Sequence, residues 1–245
     1  MEARRRGFTR TIRCPNARFR PCSRIRDVRH GPTRRVDSWG THAAATRGAR
    51  AFAEPPSVDD AVELLAAAAP RGILFAYPGS SYALGAASDD AVQARLENRS
   101  GKIPVLLTCR AASQALQVLG ARRVALIHPP WFSEEVNGWG RDYFRSLGFE
   151  VVLSERITPL RSFSEVPAPE VYEWTKRNVP KQADAVFLGG NGLRAVGTIH
   201  ALEAALQKPV LTANQVLFWQ ALRLVRAASK VGEYGRIFKL SPSDR

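Results

Sequence analysis

The chain has 245 residues, 45% of them hydrophobic, with only three cysteines, so it can bury one sizeable core or two small lobes without a disulfide framework. Its formal charge of +14 would ordinarily point to nucleic acid, but 14 of the 36 Lys and Arg residues fall in residues 1–50 against Glu2, Asp27 and Asp37, leaving a nearly balanced remainder of 22 basic and 19 acidic residues. No apolar run reaches the ~18–20 residues of a membrane span and no signal-peptide core follows the first arginines, which excludes a membrane partner and points to a cytoplasmic protein.

Residues 1–50 have no apolar periodicity and are read as a disordered or non-native segment. A basic nucleic-acid-binding arm and an Arg-rich transit-like presequence are the alternatives, and that arm is the only route by which nucleic acid becomes a partner. Cys14 and Cys22 lack a His or Cys neighbour at ligand spacing, so no metal site is expected. From Pro56 onward helix and strand signals alternate. A helix over "SVDDAVELLAAAAP", capped by Ser57, leads to a buried strand "GILFAY" and a loop "PGSSYALG". Next come a helix ending at Gly101, the strand "IPVLLT", a helix ending at Gly120 and the strand "RRVALIH". A loop and helix over "PPWFSEEVNGWGRDYFRSLG", the strand "FEVVLS", the helix "APEVYEWTKRNVP" and the strand "DAVFLGG" follow. The chain closes with a helix directly after Gly189-Gly190-Asn191-Gly192, the strand "PVLTA" and a last helix "NQVLFWQALRLVRAAS".

This alternation predicts an α/β fold with parallel sheets and ligands beyond the carboxyl ends of the strands. "KIPVLLTCRAASQAL" and "KPVLTANQVLFWQAL" form a weak internal repeat, each preceded by a strand, a small-residue turn and a helix. If they are true counterparts, "PGSS" and "GGNG" face one ligand between two related units; any two αβ units also share such an apolar pattern. Residues 51–117 with 214–245 are read as the first lobe and 118–213 as the second.

Three ordered stretches carry a resemblance: "QALQVLGARRVALIHPPWFSEEVN", "ADAVFLGGNGLRAVGTIHALEAALQKPVLTANQVLFWQALRL" and "EYGRIF". Together they resemble the aspartate/glutamate racemase superfamily, in particular its maleate cis-trans isomerase and arylmalonate decarboxylase group. The resemblance implies two pseudosymmetric Rossmann-like α/β lobes with parallel sheets and a ligand cleft between them. It also implies a cofactor-independent isomerase, racemase or decarboxylase acting on a small carboxylate through an enediolate-type intermediate. A non-catalytic carboxylate-binding relative or an inactive truncated homologue is the alternative. The strand that opens the family's first lobe is not found; an Arg-rich stretch and "DSWGTHAAATRGARAF" stand there instead. Both family cysteines are gone, the first position falling on Tyr77 and the second on Gly190.

What survives is an oxyanion-hole-like frame: Gly79, Ser80 and Ser81 in one turn, Gly189, Gly190, Asn191 and Gly192 in the other, with Asn214 and Trp131 or Phe132 implied by the resemblance as lining. Tyr77 is a candidate proton carrier if neighbouring dipoles lower its pKa, against the plain role of an aromatic filling the space of a lost thiol. His128 ends its strand and is expected to point toward the cleft, against the plain role of a loop residue fixed by Pro129 and Pro130. Cys109 is expected to be buried and inert. Arg194 and Arg223 follow their turns where the family also often has arginine and could attract a carboxylate substrate, against the plain role of pairing with Glu203 or lying on solvated helix faces. The oligomeric state stays open.

Overall fold

The computed structural model describes residues 48–158, 166–227 and 234–240. The expectations for residues 1–47 lie outside the described residues. Two parallel sheets organise the fold. The first pairs β1 (Ile73–Phe75) with β2 (Val105–Leu107), Ile73 opposite Val105. The second has the order β4-β3-β5-β6, from β3 (Arg123–His128), β4 (Glu150–Arg156), β5 (Ala185–Leu188) and β6 (Val210–Thr212). Besides a helical stretch over residues 48–51, the described helices are α1 (Ser57–Ala66), ahead of the strands, and α2 (Pro78–Leu84), α3 (Ala86–Arg99), α4 (Thr108–Val118), α5 (Glu134–Ser146), α6 (Ala168–Asn178), α7 (Ile199–Leu206) and α8 (Ala213–Leu224), between and after them.

The strands β3 and β5 are apolar runs because both of their faces are covered. Val124 and Leu126 of β3, with Ala185 and Phe187 of β5, join α4, α5 and α8 in one core. The alternate residues Ala125, Ile127, Val186 and Leu188 pack with Val171 of α6 and Ile199 and Leu202 of α7. A third core places Val58, Val62, Val92 and Leu96 of α1 and α3 on Ile73, Val105 and Leu107 of the two-stranded sheet.

Three local readings change. "PGSSYAL" is not a loop but helix α2, started by Pro78 in its first turn, where a missing N–H costs nothing. Ser57 is the first residue of α1 rather than its cap, and the helix ends at Ala66, before Pro70. The helix expected directly after Gly192 begins only at Ile199, behind a 3-10 turn at Val196–Thr198, so no helix N-terminus is aimed at that turn.

Candidate active site

The loop after β5 is built from residues that offer backbone and little else. The Gly189 N–H prolongs the sheet by donating to Ile127 O at 2.8 Å, and Leu193 N–H closes a turn onto Gly190 O at 3.1 Å. The N–H groups of Gly190, Asn191 and Gly192 donate to nothing among the described residues. Adjacent free N–H groups in a turn form an anion-binding concavity where they converge. Gly190 has φ +88°, and a Cβ there would lie 2.7 Å from Pro129 Cγ. Backbone conformation and Pro129 therefore each strain any side chain at the position that the resemblance matches to the second family cysteine.

Asn191 and Asn214 meet across the ends of β5 and β6. Asn191 Nδ2 donates to Asn214 Oδ1 at 2.7 Å, and Asn214 Nδ2 donates to Asn191 O at 2.9 Å. Asn214 sits in the first turn of α8, which begins with a reciprocal cap between Thr212 and Gln215. Trp131, 37% exposed, lies along the same turn, its Cζ2 3.4 Å from where a Gly192 Cβ would be. Phe132 is instead buried and stacks on the His128 ring at a centroid distance of 5.7 Å.

His128 does not point past the strand end. It shares its face of β3 with Val124 and Leu126, which turns the imidazole inward, where it is fully buried. Its Nδ1–H donates to Asn137 Oδ1 at 2.7 Å, because the Asn137 amide nitrogen is occupied in donating to Ser154 O at 3.0 Å. Nε2 is then the acceptor for the Tyr82 hydroxyl at 3.3 Å. Burial lowers the His128 pKa to about 4, only partly offset by the Asn137 hydrogen bond, so the ring is neutral at pH 7. Tyr82 and Asn137 went unrecognised in the sequence; Tyr82 and His128 back the turn directly, a Gly189 Cβ lying 3.0 Å from His128 Cδ2 and 3.2 Å from the Tyr82 hydroxyl, and Asn137 holds the imidazole from its other nitrogen.

Tyr77 immediately precedes α2, with its ring against Phe52 at 4.6 Å and its hydroxyl 3.0 Å from where a Gly79 Cβ would be. Burial raises its pKa instead of lowering it, so the phenol is a proton donor at neutral pH and not a base. Gly79 is buried at the start of α2. Ser80 donates its hydroxyl to Ala49 O at 2.9 Å, and Ser81 hydrogen-bonds within the buried group of Asp89 and Cys109. Both hydroxyls are thus engaged away from the Gly189–Gly192 turn. Cys109, fully buried with its thiol pKa raised by burial, is inert. Glu203 accepts from the backbone N–H of Val210 at 3.1 Å and of Arg236 at 3.0 Å, while the Arg223 guanidinium lies over Trp219 at 5.0 Å.

No group of His, Cys, Asp and Glu among the described residues could hold a metal ion, and no described helix is long and apolar enough to cross a membrane.

The family model of arylmalonate decarboxylase matches residues 56–238. No curated protein matches the chain. Among solved structures, an arylmalonate decarboxylase is 24% identical, covering 76% of this chain and 82% of its own at a TM-score of 0.67. The maleate isomerase Iso from Pseudomonas putida S16, solved with maleate, is 20% identical over 74% of each chain at 0.67. A Nocardia farcinica maleate cis-trans isomerase variant holding a covalently bound succinylcysteine intermediate is 21% identical, covering 76% and 78%, at 0.68. These likenesses establish a shared mixed α/β fold with parallel sheets. With a family match that spans three quarters of its length, the chain belongs to the arylmalonate decarboxylase family, within the aspartate/glutamate racemase-like group.

Proposed function

We propose that the protein is a cofactor-independent decarboxylase of small activated dicarboxylates of the malonate type. The observation that carries this reading is the Gly189–Gly192 turn, which offers three free N–H groups and neither thiol nor base. Racemisation needs a base and an acid on opposite faces of a carbon, and isomerisation through a cysteine adduct needs a nucleophile. Decarboxylation needs only charge stabilisation and a proton donor. The bond to the departing carboxylate breaks, its electron pair passes through the α-carbon to the remaining carboxyl group, and CO2 leaves. The N–H groups of Gly190, Asn191 and Gly192 hold the resulting enediolate. The Tyr77 hydroxyl then protonates the α-carbon and recovers its proton from water. Trp131 supplies a flat wall for an aryl or alkyl substituent. The cleft lies, in this reading, between a lobe of residues 51–117 with 214–245 and a lobe of 118–213.

Phenylmalonate incubated in deuterated water and followed by NMR should yield phenylacetate with one deuterium, while maleate stays unchanged. Tyr77→Phe should lower kcat by roughly 100-fold or more with the fold intact. The engaged hydroxyls of Ser80 and Ser81 favour a second reading, a carboxylate binder without turnover. Stabilisation by phenylmalonate without product would establish the binder; neither product nor stabilisation would end both readings.

A further inference from the structure

Helices α3, α4 and α5 line an open-sided pocket of about 570 Å³ whose walls include Tyr82, Ala86, Trp139, Asp142, Tyr143 and Leu147. A polar cavity of about 140 Å³, walled by Gln93, Gln114 and Gln220, lies on the other side of the same two residues, Asp90 and Arg110, which line both. These two form an ion pair, and the same Arg110 nitrogen donates to Ala86 O at 3.2 Å. Among the described residues Arg110 Nε–H is buried with no acceptor, and Gln220 Oε1 is buried with no donor while its amide nitrogen donates to Gln114 Oε1 at 2.7 Å. A buried polar atom left unpaired costs about 1–3 kcal/mol, and both residues line the smaller cavity, one with a spare donor and the other with a spare acceptor.

We propose that this double cavity is a second ligand site, for a small α-amino acid zwitterion with an apolar side chain. Its carboxylate takes the Arg110 fork, including Nε–H, in place of Asp90. Its ammonium, with three donors, bonds the released Asp90 carboxylate and Gln220 Oε1. Its side chain enters the larger cavity against Trp139, Tyr143 and Leu147. The Asp90 side chain is 77% exposed and free to swing aside, so the exchange of partners needs no unfolding. A simple anion would leave Gln220 and the displaced Asp90 unpaired, and a simple amine would leave Arg110 Nε unpaired.

Calorimetric titration with L-leucine, L-phenylalanine and L-tryptophan, set against phenethylamine and 3-phenylpropionate, tests this. At least one amino acid should bind, and for phenylalanine each analogue, lacking one charged group, should be weaker by roughly tenfold or more. Asp90→Asn should weaken binding to a similar degree without changing the melting temperature of the free protein, and Trp139→Ala should weaken it for the aromatic ligands. Tyr77→Phe should bind as the parent does, which separates this site from the proposed decarboxylase site. The proposal falls if none of the three amino acids gives heat, if an analogue binds as tightly as phenylalanine, or if Asp90→Asn leaves affinity unchanged.

Discussion

Acidification should destabilise this protein through His128 well before its exposed carboxylates protonate. The imidazole is fully buried, held by Tyr82 from α2, Asn137 from α5 and the stacked Phe132 ring, with Gly189 against its edge. On α5 the Glu134 carboxylate reaches the imidazole only through Asn137, its Oε1 accepting from Asn137 Nδ2 at 3.4 Å. In the unfolded chain a histidine titrates near 6.5, in the folded protein His128 titrates at about 4. Between those values the unfolded state binds more protons, so stability is full above pH 6.5 and falls as pH drops toward 4. The difference amounts to about 3 kcal/mol at most and about 2 kcal/mol by pH 5. Asp89, whose pKa is raised by burial, acts with the opposite sign as it takes up its proton, so the measurement must be a difference between variants. His128→Phe keeps an aromatic ring in the slot and removes the titration, at a cost of roughly 1–3 kcal/mol at pH 7 for the unpaired Tyr82 hydroxyl. Urea unfolding at pH 7 and pH 5 should show the parent losing about 2 kcal/mol more than His128→Phe. Equal losses in the two proteins would refute the reasoning. The Asp184 carboxylate, held down to about 2 by hydrogen bonds from Arg123, enters only below this window.

Gly190→Cys should lower stability by roughly 1–3 kcal/mol without creating maleate isomerase activity, because the new side chain meets both a positive φ and the Pro129 ring; a stable variant with thiol-dependent turnover would contradict this. A double-mutant cycle of Asn191→Ala and Asn214→Ala should return a coupling energy near ~1 kcal/mol in urea unfolding, and additive losses would show the amide pair to be idle. Glu203→Ala strands the N–H groups of Val210 and Arg236, with an expected loss of roughly 2–4 kcal/mol; a loss under ~0.5 kcal/mol would mean that water replaces the carboxylate.

The strands were legible because β3 and β5 are buried on both faces and so read as unbroken apolar runs, "VALI" and "AVFL". Glycine and serine in "PGSS" read as a loop, although Pro78 followed by residues that pack inward also fits a helix start, and α2 is what formed. The direction of His128 was readable in principle. Strand parity assigns it to the face of Val124 and Leu126, but the sequence alone does not tell which face of β3 meets which core. Its partner Asn137 lies nine residues on, across a loop whose path no local propensity dictates.

Contacts between distant segments were out of reach altogether, and one of them decides the chemistry. Gly190 could be read as a thiol position that had merely lost its side chain, one substitution away from recovery. In the fold, Pro129 reaches over from the end of β3 and fills the space a side chain would need, while φ +88° separately disfavours any L side chain there. Relieving one obstacle leaves the other, so no single change returns a nucleophile. In the proposed reading the turn therefore acts through its N–H groups, which need only backbone. Backbone donors stabilise charge as it develops but cannot take a proton or form an adduct. On that reading the turn supplies charge stabilisation and Tyr77 the proton, which are the two parts a decarboxylation needs. Deuterium incorporation from phenylmalonate in the Tyr77→Phe variant separates these contributions. CO2 release that persists while protonation loses its stereochemical preference would leave the N–H turn as the catalyst and reassign the proton to water.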